Sequence, residues 1–231
     1  MKYKKQGHLL QLGSNTKLNK SGDDWLIAGL SLAPSNIAGG VYRVCTHEIV
    51  AGCRDTCLFF AGRGAMPSVQ QARIKKTKLL FDQPSIFYRR LDVDIKTMII
   101  YADKHQKNLA IRLNVLSDID WENRIDMASY PAQFYDYTKR TSRLGNVPSN
   151  YHLTLSVFPH PYLLKKYILK AKQTNTNISA VFMDDIPSTY EGFPTISGDD
   201  SDLRFLDPTP SCIALKAKGP LRHNNELNFA I

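Results

Sequence analysis

Apolar residues recur at three- and four-residue steps in two consecutive stretches. Val69, Ala72, Leu79 and Leu80, with Ile74 less well placed, predict a helix over residues 68–81 whose other face is basic. Asp82, Gln83 and Pro84 end it, and a proline at that point suits the first turn of a second helix. The second helix is predicted over about residues 85–104. It places Phe87, Leu91, Ile95, Met98, Ile99 and Ala102 on one face, which needs a sheet or another helix to cover it.

Four short apolar runs follow, at residues 109–115, 132–137, 151–157 and 178–183. Helical candidates at 121–129 and 162–173 lie between them. Strands alternating with helices point to parallel βα units in one sheet. The first and third runs alternate too regularly with polar residues for a deeply buried central strand, so Arg112, Asn114, His152, Thr154 and Ser156 are expected to face an interior cavity. Ile213, Ala214 and Leu215 form a plausible last strand. The fold class is therefore a single α/β domain with a mostly parallel sheet, a partial β/α barrel being one form of it, preceded by a cysteine-containing loop. Residues 1–40, rich in Gly, Ser and Asn, read as an N-terminal arm with one strand near Trp25, and residues 41–231 as the cysteine loop and the α/β domain.

The 231 residues suffice to bury a sizeable core, and 43% hydrophobic composition argues against global disorder. No apolar stretch is long enough for a membrane span, and the basic start at Lys2, Lys4 and Lys5 leads into a segment too polar for a signal peptide. A cytoplasmic protein with no membrane partner is expected. The net charge of +9 is compatible with nucleic acid or another polyanion as partner. Its basic residues are spread over several runs rather than one aromatic-interleaved stripe, although Lys139, Arg140 and Arg143 form a local candidate for an anion site.

Three of the four cysteines, Cys45, Cys53 and Cys57, fall within thirteen residues. That crowding is unlike a disulfide scaffold and reads as a metal loop. Thiolates are soft ligands for an iron–sulfur cluster, and three of them leave one iron open to a small molecule. Zinc is the alternative, with His47 or Cys212 as fourth ligand; buried, inert thiols are the plain one. Arg63, between Gly62 and Gly64, is a candidate to hold an anionic cofactor where the backbone can approach closely.

Residues just past strand ends line the usual crevice of parallel α/β folds. Asn114 and Asp118 are candidates there for orienting a ligand, with Ser117 or Asp118 as a helix cap in the structural reading. Tyr135 and Lys139 take the equivalent place after the next strand, or else are a packed ring and a surface amine. His152, Thr154 and Ser156 share one strand face. No nucleophile elbow accompanies them, so His152 reads first as a hydrogen-bonded pocket or core residue. In the acidic run Asp199, Asp200, Asp202, Arg204 and Asp207, turn formation and an Arg204–carboxylate contact are expected.

The cysteine segment, the run from Asn114 to Glu122, the Tyr-Thr-Lys element at Tyr137 to Lys139, and the late pattern Gly198, Asp199, Asp202, Leu203, Arg204, Phe205, Asp207, Pro208, Lys218 and Gly219 resemble a bacteriophage-encoded family known as gene-product-88-like. The resemblance spans roughly residues 14–229 and implies a phage protein, acting in the host cytoplasm, of unstated reaction. The same order of elements is distantly similar to radical S-adenosylmethionine enzymes, whose cysteines are separated by three and then two residues rather than the seven and three found here. That likeness implies Cys45, Cys53 and Cys57 as cluster ligands and S-adenosylmethionine on the open iron. It also implies Asn114, Asp118, Tyr135, Lys139 and His152 as pocket residues and Arg63, Asn114 and Ser156 as cofactor contacts. The competing expectation is a nucleic-acid-associated accessory protein, with structural zinc or no metal; a host protein is a further possible partner.

Overall fold

The computed structural model describes residues 7–13, 24–226 and 229–231, so the basic positions Lys2, Lys4 and Lys5 lie outside the described residues. In chain order the elements are β1 (Gln11–Leu12), β2 (Trp25–Gly29), α1 (Ser35–Ala38), α2 (Pro67–Asp82), α3 (Pro84–Lys104), β3 (Asn108–Arg112), β4 (Gln133–Thr138), β5 (Tyr151–Ser156), α4 (Leu163–Gln173), β6 (Ile178–Phe182), β7 (Thr189–Tyr190), β8 (Phe193–Ser197) and β9 (Cys212–Lys216). The strands form one open sheet in the order β1-β2-β3-β4-β5-β6-β9-β8-β7. Only the edge pairs β1–β2 and β7–β8 are antiparallel; every other pairing is parallel. This is the expected α/β domain with a mainly parallel, unclosed sheet. The cysteine segment lies early, in the crossover from β2 to β3 that also contains α2 and α3.

Strands β2 to β6 advance across the sheet one neighbour at a time. Right-handed crossovers then place every connection on the same face. That face carries the main core: Ala28 and Leu30, Leu109 and Ile111, Phe134, Tyr151, Leu153 and Leu155, Ile178 and Ala180 meet Leu80, Phe87, Leu91, Ile95, Met98, Tyr167 and Ala171 from the helices. The periodic face predicted for α3 is the buried one, and Pro67 and Pro84 each open a helix. Buried Asp94 on α3 accepts backbone N–H bonds from Leu9 (2.5 Å) and Leu10 (3.1 Å) and pairs with His8 Nδ1 at 2.6 Å, so the chain start is tied to the helix layer.

The helix expected over 121–129 is instead two 3-10 turns, Trp121–Asn123 and Met127–Ser129. Asn114 is the reason. Its Oδ1 accepts from Ser117 Oγ (2.7 Å), Ile119 N (2.9 Å) and Trp121 Nε1 (3.0 Å), wrapping this segment around one amide rather than along a helix axis.

The second face of the sheet is covered by chain rather than by helices. Residues 201–207, including the 3-10 turn Arg204–Leu206, lie against β4 and β5. Leu203 packs with Ile27, Ala110 and Tyr135, and Phe205 meets Trp25 and Tyr135 edge-on at 4.8 and 5.6 Å. Gly198 starts this covering segment. A Cβ there would lie 2.5 Å from both Ile213 Cγ2 and Leu215 Cδ2, so only glycine lets the chain leave β8 so close to β9. Among the described residues no helix is long and apolar enough to cross a membrane.

Phe87 is fully buried and stacks on Trp121 at 6.2 Å, whereas Ile100 on the same helix is 68% exposed. Phe87→Ala is expected to destabilise the fold by about 3–5 kcal/mol and Ile100→Ala by less than about 0.5 kcal/mol. Urea denaturation checks both, and equal losses would refute the assignment of α3's buried face.

Candidate functional site

The ends of β3, β4 and β5 carry a continuous set of buried polar groups. Asp118 accepts from Thr138 Oγ1, the Lys139 backbone N–H and Arg143 NH1, each at 2.8 Å. Arg143 reaches both oxygens of Glu122 at 2.8 Å through Nε and NH2, and donates to Tyr151 OH at 2.9 Å. Tyr151 OH donates to Asp136 Oδ2 at 2.8 Å, and Asp136 Oδ1 accepts the Asn114 N–H at 2.7 Å. Burial works against the charge of Arg143, but its bonds to Glu122 and the neighbouring Tyr151 and Asp118 outweigh it and raise its pKa. Burial lifts the Asp136 carboxyl to about 7, with Arg112 opposing. Asn114 and Asp118 thus belong to one hydrogen-bonded framework, built from the β3–β4 and β4–β5 connections. Arg143, Tyr151 and Asp136, which the sequence reading did not single out as members of one site, complete it. A carboxylate in the middle of the apolar run Phe134 to Tyr137 was the available signal.

Lys139 and the cysteine segment adjoin this framework, because the Asp118 N–H donates to Val44 O at 2.8 Å beside Cys45. The half-buried Lys139 ammonium lies 5.3 Å over the Phe229 ring. Burial opposes its charge, and Cys53, Asp118, Cys45 and Cys57 around it outweigh that and raise its pKa. His47 sits near the same groups and is pushed down, first by burial. Of the proposed anion trio, Arg140 pairs with Asp120 at 3.5 Å and Arg143 is consumed by Asp118 and Glu122. Arg63 is exposed in the 3-10 turn Gly62–Ala65.

The thiols correct the metal expectation. Cys45 Sγ points to Leu116 O and Cys53 Sγ to Glu48 O, both at 3.8 Å, while Cys57 Sγ accepts the Phe59 N–H at 3.5 Å as the cap of the turn Leu58–Phe60. Each sulfur is directed to a different backbone group. Burial raises the Cys45 thiol far up and lifts Cys57 to about 11, so both are protonated thiols at neutral pH. Cys212 is wholly buried on β9 in the main core, and burial lifts it to about 12. Among the described residues no group of three or more His, Cys, Asp or Glu side chains is placed to hold a metal ion. The expected iron–sulfur cluster, S-adenosylmethionine on its open iron, and zinc are therefore all set aside, and the likeness to radical enzymes goes with them.

The remaining candidates lie on the other face. Tyr135 pairs in register with His152, and Tyr137 with Thr154. Tyr135 OH donates to Asp202 Oδ2 at 2.8 Å, and Arg112 NH1 lies 3.2 Å from both Asp202 oxygens. Burial works against Arg112's charge, yet Asp202 and the nearby tyrosines raise its pKa overall. Arg204 NH1 is 3.2 Å from Asp207, the expected arginine–carboxylate contact. His152 is lowered to about 4 by burial and then by Arg204, so it is a neutral imidazole at pH 7. Ser156 ends the same strand face, half-buried.

Two outcomes follow from this geometry. Arg143→Met leaves Asp118 and Glu122 without their cation and is expected to cost about 3–5 kcal/mol in chemical denaturation; a near-neutral effect would show that the framework is not a single unit. Cys45 and Cys57 are expected to resist iodoacetamide at pH 7–8 in the folded protein and to react on unfolding, as followed by mass spectrometry. Rapid modification in the folded state would contradict their protonated, buried character.

No curated protein and no solved structure matches the chain. The family model described as Gene product 88 matches residues 4–229. The polar strand ends, the cysteine segment and the Gly198–Asp207 cover all fall within that span, and the chain belongs to the Gene product 88 family.

Proposed function

We propose that this chain is a phage accessory protein that associates with nucleic acid in the host cytoplasm, with its cysteines serving as packing residues. The observation that carries this reading is where the charge lies. The buried charged residues nearly balance: Asp94, Asp118, Asp136 and Asp202 against Arg112, Arg143 and Arg204. Asp136, lifted to about 7, is partly protonated at neutral pH, which brings the interior closer still to neutrality. Among the described residues the positive excess therefore lies outside the buried interior. Lys75 and Lys78 on α2 and Lys165 and Lys166 on α4 are exposed, and both helices cover the same face of the sheet. Asp92, Asp120 and Asp199 are engaged with Lys96, Arg124 and Lys218, and among the described residues none of these four lysines is in an ion pair.

Lysines of this kind neutralise phosphates and release counterions, so the affinity should fall steeply with salt and be largely independent of sequence. Fluorescence anisotropy with labelled duplex DNA and single-stranded RNA over a salt series is expected to give a linear log–log fall in affinity. The double changes Lys75→Glu with Lys78→Glu, and Lys165→Glu with Lys166→Glu, should each lower the slope by about 1–2. Absence of binding at low salt, or binding indifferent to salt, would overturn the reading.

A further inference from the structure

Four aromatic rings run outward from the core past the end of β5. Tyr167 on α4 and Phe158 are buried and meet edge-on, their centroids 5.6 Å apart. Phe158 in turn meets His160 at 6.1 Å, and His160 meets Tyr162 at 6.2 Å. Tyr162 is the outer end of this series and is 84% exposed, more than any other large hydrophobic side chain among the described residues. Its backbone is held as well. Pro159 and Pro161 restrict the chain on either side of His160, and His160 Nδ1 accepts the N–H of Tyr162 and that of Leu163, both at 3.2 Å. One helical turn further along, Lys165 and Lys166 on α4 are both exposed.

Apolar area left in water contributes nothing to the fold, so a ring held this firmly in solvent is stabilised only by what it can bind. Tyr162 has helical backbone angles (φ −107°, ψ −29°), so the residues three and four positions on share its side of the helix, roughly 5–6 Å away between Cβ atoms. A flat aromatic surface and two ammonium groups therefore stand at one place. We propose that Tyr162 is a stacking platform for an unpaired nucleobase, with Lys165 and Lys166 on the adjoining phosphates, so that this face takes single-stranded nucleic acid in preference to duplex. The assignment rests on the nucleic-acid reading above and adds which form is bound. Lysines alone do not discriminate, because strand and duplex both present phosphates. An aromatic ring does: in a duplex each base is covered by its stacked neighbours, whereas the bases of a single strand can be splayed onto the ring. Such stacking tolerates every base, in keeping with contacts that do not read sequence. Phe81, near Lys78 on α2, is no equivalent platform, being 39% exposed and already stacked on Tyr42 at 5.2 Å.

The test uses the full chain with labelled oligo(dT), oligo(U) and a DNA duplex of the same length, compared by fluorescence anisotropy at one low salt concentration. Both single strands are expected to bind more tightly than the duplex, and the tighter of the two names DNA or RNA as the preferred strand. Tyr162→Ala should weaken the single strands about fivefold or more and leave the duplex unchanged, while Tyr162→Phe keeps the original affinity. Because the ring lies in solvent its removal is expected to leave the fold intact, as circular dichroism would check. In a Tyr162→Trp chain, oligo(dT) should quench indole fluorescence beyond any change seen in the unaltered chain, whose indoles are Trp25 and Trp121. Equal binding of strand and duplex, or equal weakening of both by Tyr162→Ala, would overturn the platform and leave a lysine face that binds phosphate alone. Failure of every probe to bind would instead overturn the nucleic-acid reading itself, and this assignment with it. Should Tyr162→Ala lose its fold, the Tyr162→Trp quenching decides the matter, its absence counting against the platform.

Discussion

Arg143 stands where the connections after β3 and β4 meet β5, and its guanidinium is shared between Asp118, Glu122 and Tyr151. Removing three charges from water costs several kcal/mol for each ion unless nearly every donor and acceptor is used. Here they are used: Asp118 takes three bonds, Glu122 binds in bidentate fashion, and Tyr151 passes the chain on to Asp136 and Asn114. The requirement is geometric as much as energetic. These bonds can form together only if the β3–β4 and β4–β5 connections converge against β4 and β5, so a single cation fixes the position of residues far apart in sequence. The cysteine segment inherits that placement through the Asp118 N–H bond to Val44, and Lys139 inherits it through its own backbone bond to Asp118.

The two faces of the sheet solve the problem of burial differently. The helix-covered face is apolar apart from the Arg143 framework at the strand ends, Thr77, whose hydroxyl takes the Ala33 N–H at 2.8 Å, and Asp94, which anchors residues 8–10. The other face is too polar to be left to hydrophobic packing alone. Its apolar patch around Ile27, Ala110, Tyr135 and Leu203 is small, and the Arg112–Asp202 pair completes the contact with the covering segment. Because carboxylates and arginines are invested together inside, the positive excess of the described residues appears outside, where Lys75 and Lys78 on α2 and Lys165 and Lys166 on α4 are exposed.

The elements whose signal is local were legible in the sequence. Six apolar residues at helical steps fixed the buried face of α3, and alternation at 109–115 and 151–157 marked strands whose polar residues face away from the helices. That the segment 121–129 forms two 3-10 turns instead of a helix was not legible, because it depends on a side chain outside the segment: Asn114 Oδ1 gathers Ser117 Oγ, the Ile119 N–H and the Trp121 indole, and the chain turns around that amide. The same limit governs the site. Asn114, Asp118 and His152 could be picked out as polar residues in strand settings, but their partners Asp136, Arg143 and Arg204 are separated from them by 22, 25 and 52 positions. The cysteines show the converse error. Closeness in sequence looked like a ligand set, while the backbone turns that bring them close also supply each sulfur with its own carbonyl or amide partner.

Gly198 connects these observations to the late sequence pattern. A side chain at that position would collide with Ile213 and Leu215, pushing the chain away from β9 just before the segment that covers β4 and β5. Asp202, Leu203 and Arg204 follow within six residues, and all three are buried on the second face. Their order has a mechanical sense: glycine brings the chain close, Asp202 engages Arg112 and Tyr135, Leu203 closes the apolar patch, and Arg204 turns toward His152 and Asp207. A cover held by ion pairs at its centre differs from one held by packing alone. It ties the Arg112 guanidinium to Asp202 and the Arg204 guanidinium to Asp207, so the cover has one position on the strands. The polar residues shared by the strand face and the late pattern therefore act as one constellation, although Asp202 stands 67 and 90 positions from Tyr135 and Arg112.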